Sequence, residues 1–183
     1  MKMLTIAFAE TSQASLPRVP QDISQSARVF RSNCGPVSLA AVFGTSVIEV
    51  MRFFPQFPSR DYTTPADMRY ALDWSKAEYD PKSTCFPRDG VVLVQLEGPW
   101  TAPGAPISAQ LQYTHWIGCR NGYLFDLNIG DWLEPHEWIA RGAPTWMQSV
   151  VRCSGFSLRE AISITPRRFE FSPFGRVPLR SSR

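Results

Sequence analysis

Apolar and polar positions follow two different periods along this chain, and the change falls near its middle. Residues 35–43 (GPVSLAAVF) are almost all apolar or small. That is the pattern of a buried helix, with Pro36 suited to its first turn and Gly44 to its end. Ser46 and Glu49 have the spacing of a capping box and predict a second helix through about Phe54. Thr64-Pro65-Ala66-Asp67 joins a cap, a proline at the first helical position and an acid in the first turn, so a third helix should run to about Trp74. Upstream, residues 11–33 are rich in Ser, Gln, Pro and Arg and read as an extended lead-in. Residues 1–9 read as a first strand or an ordered arm, because their apolar stretch is shorter than the roughly 7–15 residues of an export signal.

Past residue 90 the pattern becomes that of strands. Val91-Val92-Leu93-Val94-Gln95-Leu96 predicts one, and 98–112, with three prolines and two glycines, predicts a loop. Two strand-like runs, Thr114–Cys119 and Tyr123–Leu127, then flank Arg120 and the pair Asn121-Gly122, a strong short-range hairpin signal. A short helix near 135–140 and strands near 148–153 and 161–165 complete the expectation. Helices first and an antiparallel sheet after make an α+β fold, with one domain over 1–165 and a basic tail over 166–183.

Composition narrows the class. Apolar residues make up 44% and charged residues 19%, which is globular. No apolar run nears the roughly 20 residues of a membrane helix. Net charge is +3, and six arginines from Arg159 onward against Glu160 and Glu170 hold more than all of it. A solvated tail is the simpler reading of that charge, and nucleic acid is an unlikely partner. Cys34, Cys85, Cys119 and Cys153 lie far apart, with neither a disulfide framework nor zinc spacing. Free thiols in a reducing, cytoplasmic setting are expected, with no metal and no cofactor. Trp100, Trp116, Trp132, Trp138 and Trp146 cluster in the second half and read mainly as core, some of them as cleft lining. Glu134 and His136 read as a helix-start acid and a surface histidine.

Asn33-Cys34-Gly35-Pro36 puts a thiol where the apolar helix begins. A helix N-terminus carries about half a positive charge and free N–H groups, which favour the thiolate. The same groups suit an oxyanion. His115 stands alone on a strand after a long loop. With Asn121-Gly122 as a two-residue turn, Arg120 pairs with Tyr123, His115 faces Asn128 and Ile117 faces Asp126. Asp126 and Asn128 then share the face of His115, one diagonal to it and one opposite, and either can orient the ring.

The order Cys34, His115, Asp126, with the cysteine opening a helix and the histidine on a later strand, resembles the papain-like cysteine peptidases. The closer likeness is to the branch of the bacteriocin double-glycine leader peptidases. Three segments carry it: residues 19–25 (VPQDISQ), 33–42 (NCGPVSLAAV) and 115–126. The resemblance implies a papain-like fold and a thiol peptidase or isopeptidase acting on a peptide or protein substrate. In it Cys34 attacks, His115 moves the proton, Asp126 orients His115, and Gln25 donates to the oxyanion. Asn128 stays open as an alternative third member, and an exposed amide is the plain reading of Gln25. Leu127 stands where that branch commonly has proline, and the spacing from Gln25 to Cys34 is longer than in leader peptidases proper. The same triad supports acyl transfer, and a papain-like binding module without activity is a further alternative.

Overall fold

The computed structural model describes residues 15–166, except 32, 61, 84 and 111. The expected N-terminal strand or arm and the tail beyond Pro166 lie outside the described residues. The helices that come first are α1 (Ile23–Phe30), α2 (Cys34–Phe43), α3 (Val47–Met51) and α4 (Pro65–Trp74). Asn33 caps α2 by accepting the Gly35 N–H at 3.1 Å. Gly44, at φ 69°, closes it in the left-handed conformation that glycine adopts at little cost. Both expected capping boxes form, on α3 and on α4. Helix α3 stops at Met51, short of Phe54, because Pro55 follows and disfavours helical geometry in the residue before it. The Phe53 and Phe54 N–H groups close tight turns onto Val50 and Met51 instead.

Helix α1 lies inside the segment expected to be extended. Its apolar face is short, with Ile23 and Phe30 packed on the core and Ser26 buried between them. Its polar face is what the composition registers. Asp22, just before α1, reaches across to α3: its two carboxylate oxygens accept the Val47 and Ile48 N–H groups at 2.8 and 2.9 Å. Charged caps of this kind stabilise a helix start. Asp22→Ala should therefore lower stability by about 1–2 kcal/mol, read as a lower denaturant midpoint with an unchanged slope.

The sheet has six antiparallel strands in the order β1-β6-β2-β3-β4-β5. They are β1 (Tyr79–Ser83), β2 (Gly90–Glu97), β3 (Thr114–Arg120), β4 (Tyr123–Asp126), β5 (Asp131–Leu133) and β6 (Gly155–Ile164). A 3₁₀ turn over Pro99–Thr101 and a short helix, α5 (Ile107–Gln110), break up the expected loop. After β5 come α6 (Pro135–Glu137), a π-helical turn over Trp138–Gly142, and α7 (Ala143–Gln148). The strand expected near 148–153 does not form. That stretch ends α7 and turns at Arg152, φ 66°, and the strand begins later, at Gly155. The two edge strands went unforeseen for a reason: β1 is mostly exposed and contains Pro81, and β5 has only three residues.

Alternation along the strands separates two apolar layers. Val91, Leu93, Trp116 and Phe125 face α2, α3 and α4. Val92, Val94, Ile117, Cys119 and Leu124 face the other way, onto Trp138, Ala143 and Phe86. No helix among the described residues is long and apolar enough to cross a membrane.

Candidate active site

The hairpin of β3 and β4 places two of the site residues. Asn121 and Gly122 both have positive φ, 55° and 85°, the requirement of a type I′ turn. Arg120 pairs with Tyr123, Cys119 with Leu124 and Gly118 with Phe125. One register step further Ile117 would face Asp126, and a second step further Trp116 would face Leu127. The β3–β4 ladder stops before both, at Gly118 and Phe125, and β4 itself ends at Asp126. The chain turns there, with the Ile129 and Gly130 N–H groups bonding back to the Asp126 carbonyl. His115 and Asp126 remain diagonal neighbours on one face, and His115 Nε2 lies 2.8 Å from Asp126 Oδ1.

The early end of β4 also makes room for the thiol. In an antiparallel pair, alternate residues direct both backbone groups at the partner strand. The residues beside a two-residue turn are of that kind, so Arg120, Gly118 and Trp116 point theirs toward β4. With no strand opposite, Trp116 is met by α2. Its N–H donates to Cys34 Sγ at 3.3 Å, and its carbonyl accepts the Ser38 hydroxyl at 3.0 Å. Cys34 and Ser38 are one helical turn apart, on one face of α2.

Two glycines permit the approach. A Cβ on Gly118 would lie 2.9 Å from the Ser38 carbonyl oxygen. A Cβ on Gly35 would lie 2.3 Å from Thr63 Oγ1. The Trp116 indole N–H ties the Thr63 carbonyl down at 2.9 Å. The Cys-Gly-Pro-Val-Ser stretch thus has a packing reason at each of three positions. Cys34 meets the strand edge, Gly35 clears Thr63, and Ser38 replaces a missing sheet bond.

The electrostatics favour an ion pair. His115 is bonded through Nε2 to Asp126, which leaves Nδ1 free to act on Cys34. Burial alone would hold the Cys34 thiol un-ionised. The adjacent His115 charge, its hydrogen bond and the Trp116 N–H outweigh burial and bring the thiol below its ordinary value. Burial would likewise strip the proton from His115. The Cys34 thiolate and the Asp126 hydrogen bond oppose this and raise the imidazole to about 10. Asp126 is fully buried, which by itself disfavours the carboxylate. Donors from His115, Trp138 and Asn128 outweigh that and keep it below its usual range. Cys119, by contrast, is pushed up by burial and should be inert.

Asn128 lies past the end of β4, and its contribution is a backbone N–H to Asp126 Oδ1 at 2.8 Å. The contact with His115 belongs to Asp126. Gln25 sits on the exposed side of α1, and no hydrogen bond among the described residues ties it to Cys34 or His115. Two tryptophans complete the surroundings. Trp138 Nε1 donates to Asp126 Oδ2 at 2.7 Å, and the half-buried Trp146 sets its ring 5.2 Å from the imidazole. Sequence reasoning placed both in a general aromatic cluster. A tryptophan twelve residues after the acid carries no local mark of a bond to it. Trp116 and Trp132 are core, and His136 pairs with Glu134 at 3.2 Å on the surface. Among the described residues, no group of three or more His, Cys, Asp or Glu side chains is arranged to hold a metal ion.

Comparison with known protein families, with curated proteins and with solved structures gives no match. The functional reading therefore rests on the site itself.

Proposed function

We propose that the chain is a papain-like thiol hydrolase, a peptidase or isopeptidase that cleaves a peptide-like acyl group. The observation that carries this reading is the placement of Cys34, at the start of α2 and against the Trp116 N–H, beside the His115 imidazole whose Nε2 lies 2.8 Å from buried Asp126. Cys34, at the start of α2, attacks the substrate carbonyl as thiolate. Its N–H, at the helix N-terminus, faces the oxygen that gains charge, and Gln25 is the side-chain donor offered by the resemblance. The His115 imidazolium gives its proton to the departing amine, the C–N bond breaks, and a thioester to Cys34 remains. Water then attacks the thioester and His115 takes the water proton. The C–S bond breaks, the acid leaves, and the thiolate–imidazolium pair is restored. An amine in place of water would complete acyl transfer by the same steps.

p-Nitrophenyl acetate is a generic acyl donor that tests this. We expect a burst of p-nitrophenolate stoichiometric with protein, an acetyl group on Cys34 by peptide mass spectrometry, and slower steady turnover. Absence of both burst and acetyl adduct in the folded protein would contradict the reading.

A further inference from the structure

We infer that Trp138 is a positioning residue for this chemistry, acting through its indole N–H on Asp126, and that Gly142 supplies the space this requires. The inference rests on the function proposed above and adds a fourth member to the site.

Asp126 uses its two oxygens differently. Oδ1 receives His115 Nε2 and the Asn128 N–H, and Oδ2 receives Trp138 Nε1. A carboxylate hydrogen-bonded on one oxygen alone can rotate about its Cβ–Cγ bond and swing the acceptor away from the imidazole. A donor on the second oxygen opposes that rotation. Trp138 is itself held from several sides. It is fully buried, Phe156 packs edge-on at 5.2 Å, and Phe86 lies tilted at 5.8 Å. The indole therefore forms a rigid stop for the carboxylate.

The backbone beneath it is built to match. Trp138 opens the π-helical turn, and its carbonyl accepts the Ala143 N–H five residues on. Such single turns widen a helix and recur at functional sites. Here the turn brings Gly142 under the indole: a Cβ on Gly142 would lie 2.4 Å from Trp138 Cδ1 and 2.8 Å from Nε1. Its φ of −68° is open to any residue, so clearance for Trp138, not backbone conformation, is what requires glycine.

A core tryptophan and a positioning tryptophan make different predictions for the two halves of p-nitrophenyl acetate turnover. Acylation expels p-nitrophenolate, which needs no proton, and depends mainly on the Cys34 thiolate. Deacylation needs His115 held as general base by Asp126. In Trp138→Phe, which keeps a buried ring and removes only the N–H end, the burst rate should stay within about twofold while acetyl-enzyme hydrolysis slows roughly tenfold. Val91→Ala thins the opposite apolar layer, away from both Trp138 and Asp126. It should lower the melting temperature and leave the ratio of burst to hydrolysis rate unchanged. Trp138→Phe hydrolysing acetyl-enzyme at the wild-type rate would overturn the inference. So would both phases falling in proportion, or Val91→Ala giving the same selective loss. A wild-type protein with no burst would overturn the function proposed above, and this inference with it.

Discussion

Cys34→Ala and His115→Ala should each remove acyl turnover by about 10⁴-fold or more, and the double variant should be no worse than either single one. In the mechanism proposed, nucleophile and base act as a unit, so once one is gone the other has no step left to assist. The losses should differ in kind. Cys34→Ala removes the acetyl acceptor and with it the burst. His115→Ala leaves a thiol with its main lowering influence gone and its burial intact, so its ionisation moves upward and reaction at neutral pH falls. Cys34→Ala should keep its stability, since Cys34 is only half-buried, whereas His115→Ala breaks a buried pair with Asp126 and should fold with stability lowered by roughly 3–5 kcal/mol. Between the lowered Cys34 value and about 10 for His115, both groups are charged. Activity should therefore fall on the acid side as the thiolate is protonated, and on the alkaline side as the imidazolium loses the proton it must give to the leaving group.

The second large effect is at Asp126, where Asp126→Ala should cost roughly 3–5 kcal/mol of stability as well as turnover. It strands two buried donors, the His115 imidazolium and the Trp138 indole, with no acceptor. Asp126→Asn should retain the shape but still fail in part. An amide has one oxygen, and the carboxylate uses both. If that oxygen faces His115, an NH₂ group meets the Trp138 N–H, and one donor stays unsatisfied at about 1–3 kcal/mol. Asn128→Ala should leave stability and turnover within about twofold of wild type, because the bond to Asp126 comes from the Asn128 backbone N–H. Thermal unfolding and p-nitrophenyl acetate turnover of the three variants check this. A larger loss in Asn128→Ala than in Asp126→Asn would contradict the assignment.

Features signalled by neighbouring residues were the ones legible in the sequence. Both capping boxes, the Gly44 helix end, and the Asn121-Gly122 turn with its register lie within a few residues of chain, and each appears in the structure. The register alone made Asp126 and Asn128 the candidates for His115. What it could not give was the end of β4 one residue after Phe125, which decides between them. That end leaves Trp116 to be met by α2, some eighty residues away in sequence. Helix α1 was hidden by its polar outer face, and the three-residue β5 by its length. Of the two strands expected at the C-terminal end, the one near 161–165 is the last part of β6 and the one near 148–153 does not form; 148–153 is apolar enough to suggest a strand, while β6 carries Arg159 and Glu160 in its middle. Trp138 showed as an aromatic and no more, since its bond to Asp126 exists only after the π turn and Gly142 have shaped the backbone.

The central claim is that Cys34 is a thiolate held by His115. The direct measurement is the rate of iodoacetamide labelling at each cysteine between pH 5 and 9, read by peptide mass spectrometry on the folded protein. An ordinary thiol of pKa about 8.5 is only about 0.3% ionised at pH 6, so labelling there singles out an activated group. Cys34 should be labelled at pH 6 well ahead of Cys85 and Cys153, the other half-buried thiols, and buried Cys119 should stay unlabelled. In His115→Ala that early labelling should disappear. Labelling of Cys34 that rises only above about pH 8 and is unchanged by His115→Ala would contradict the account.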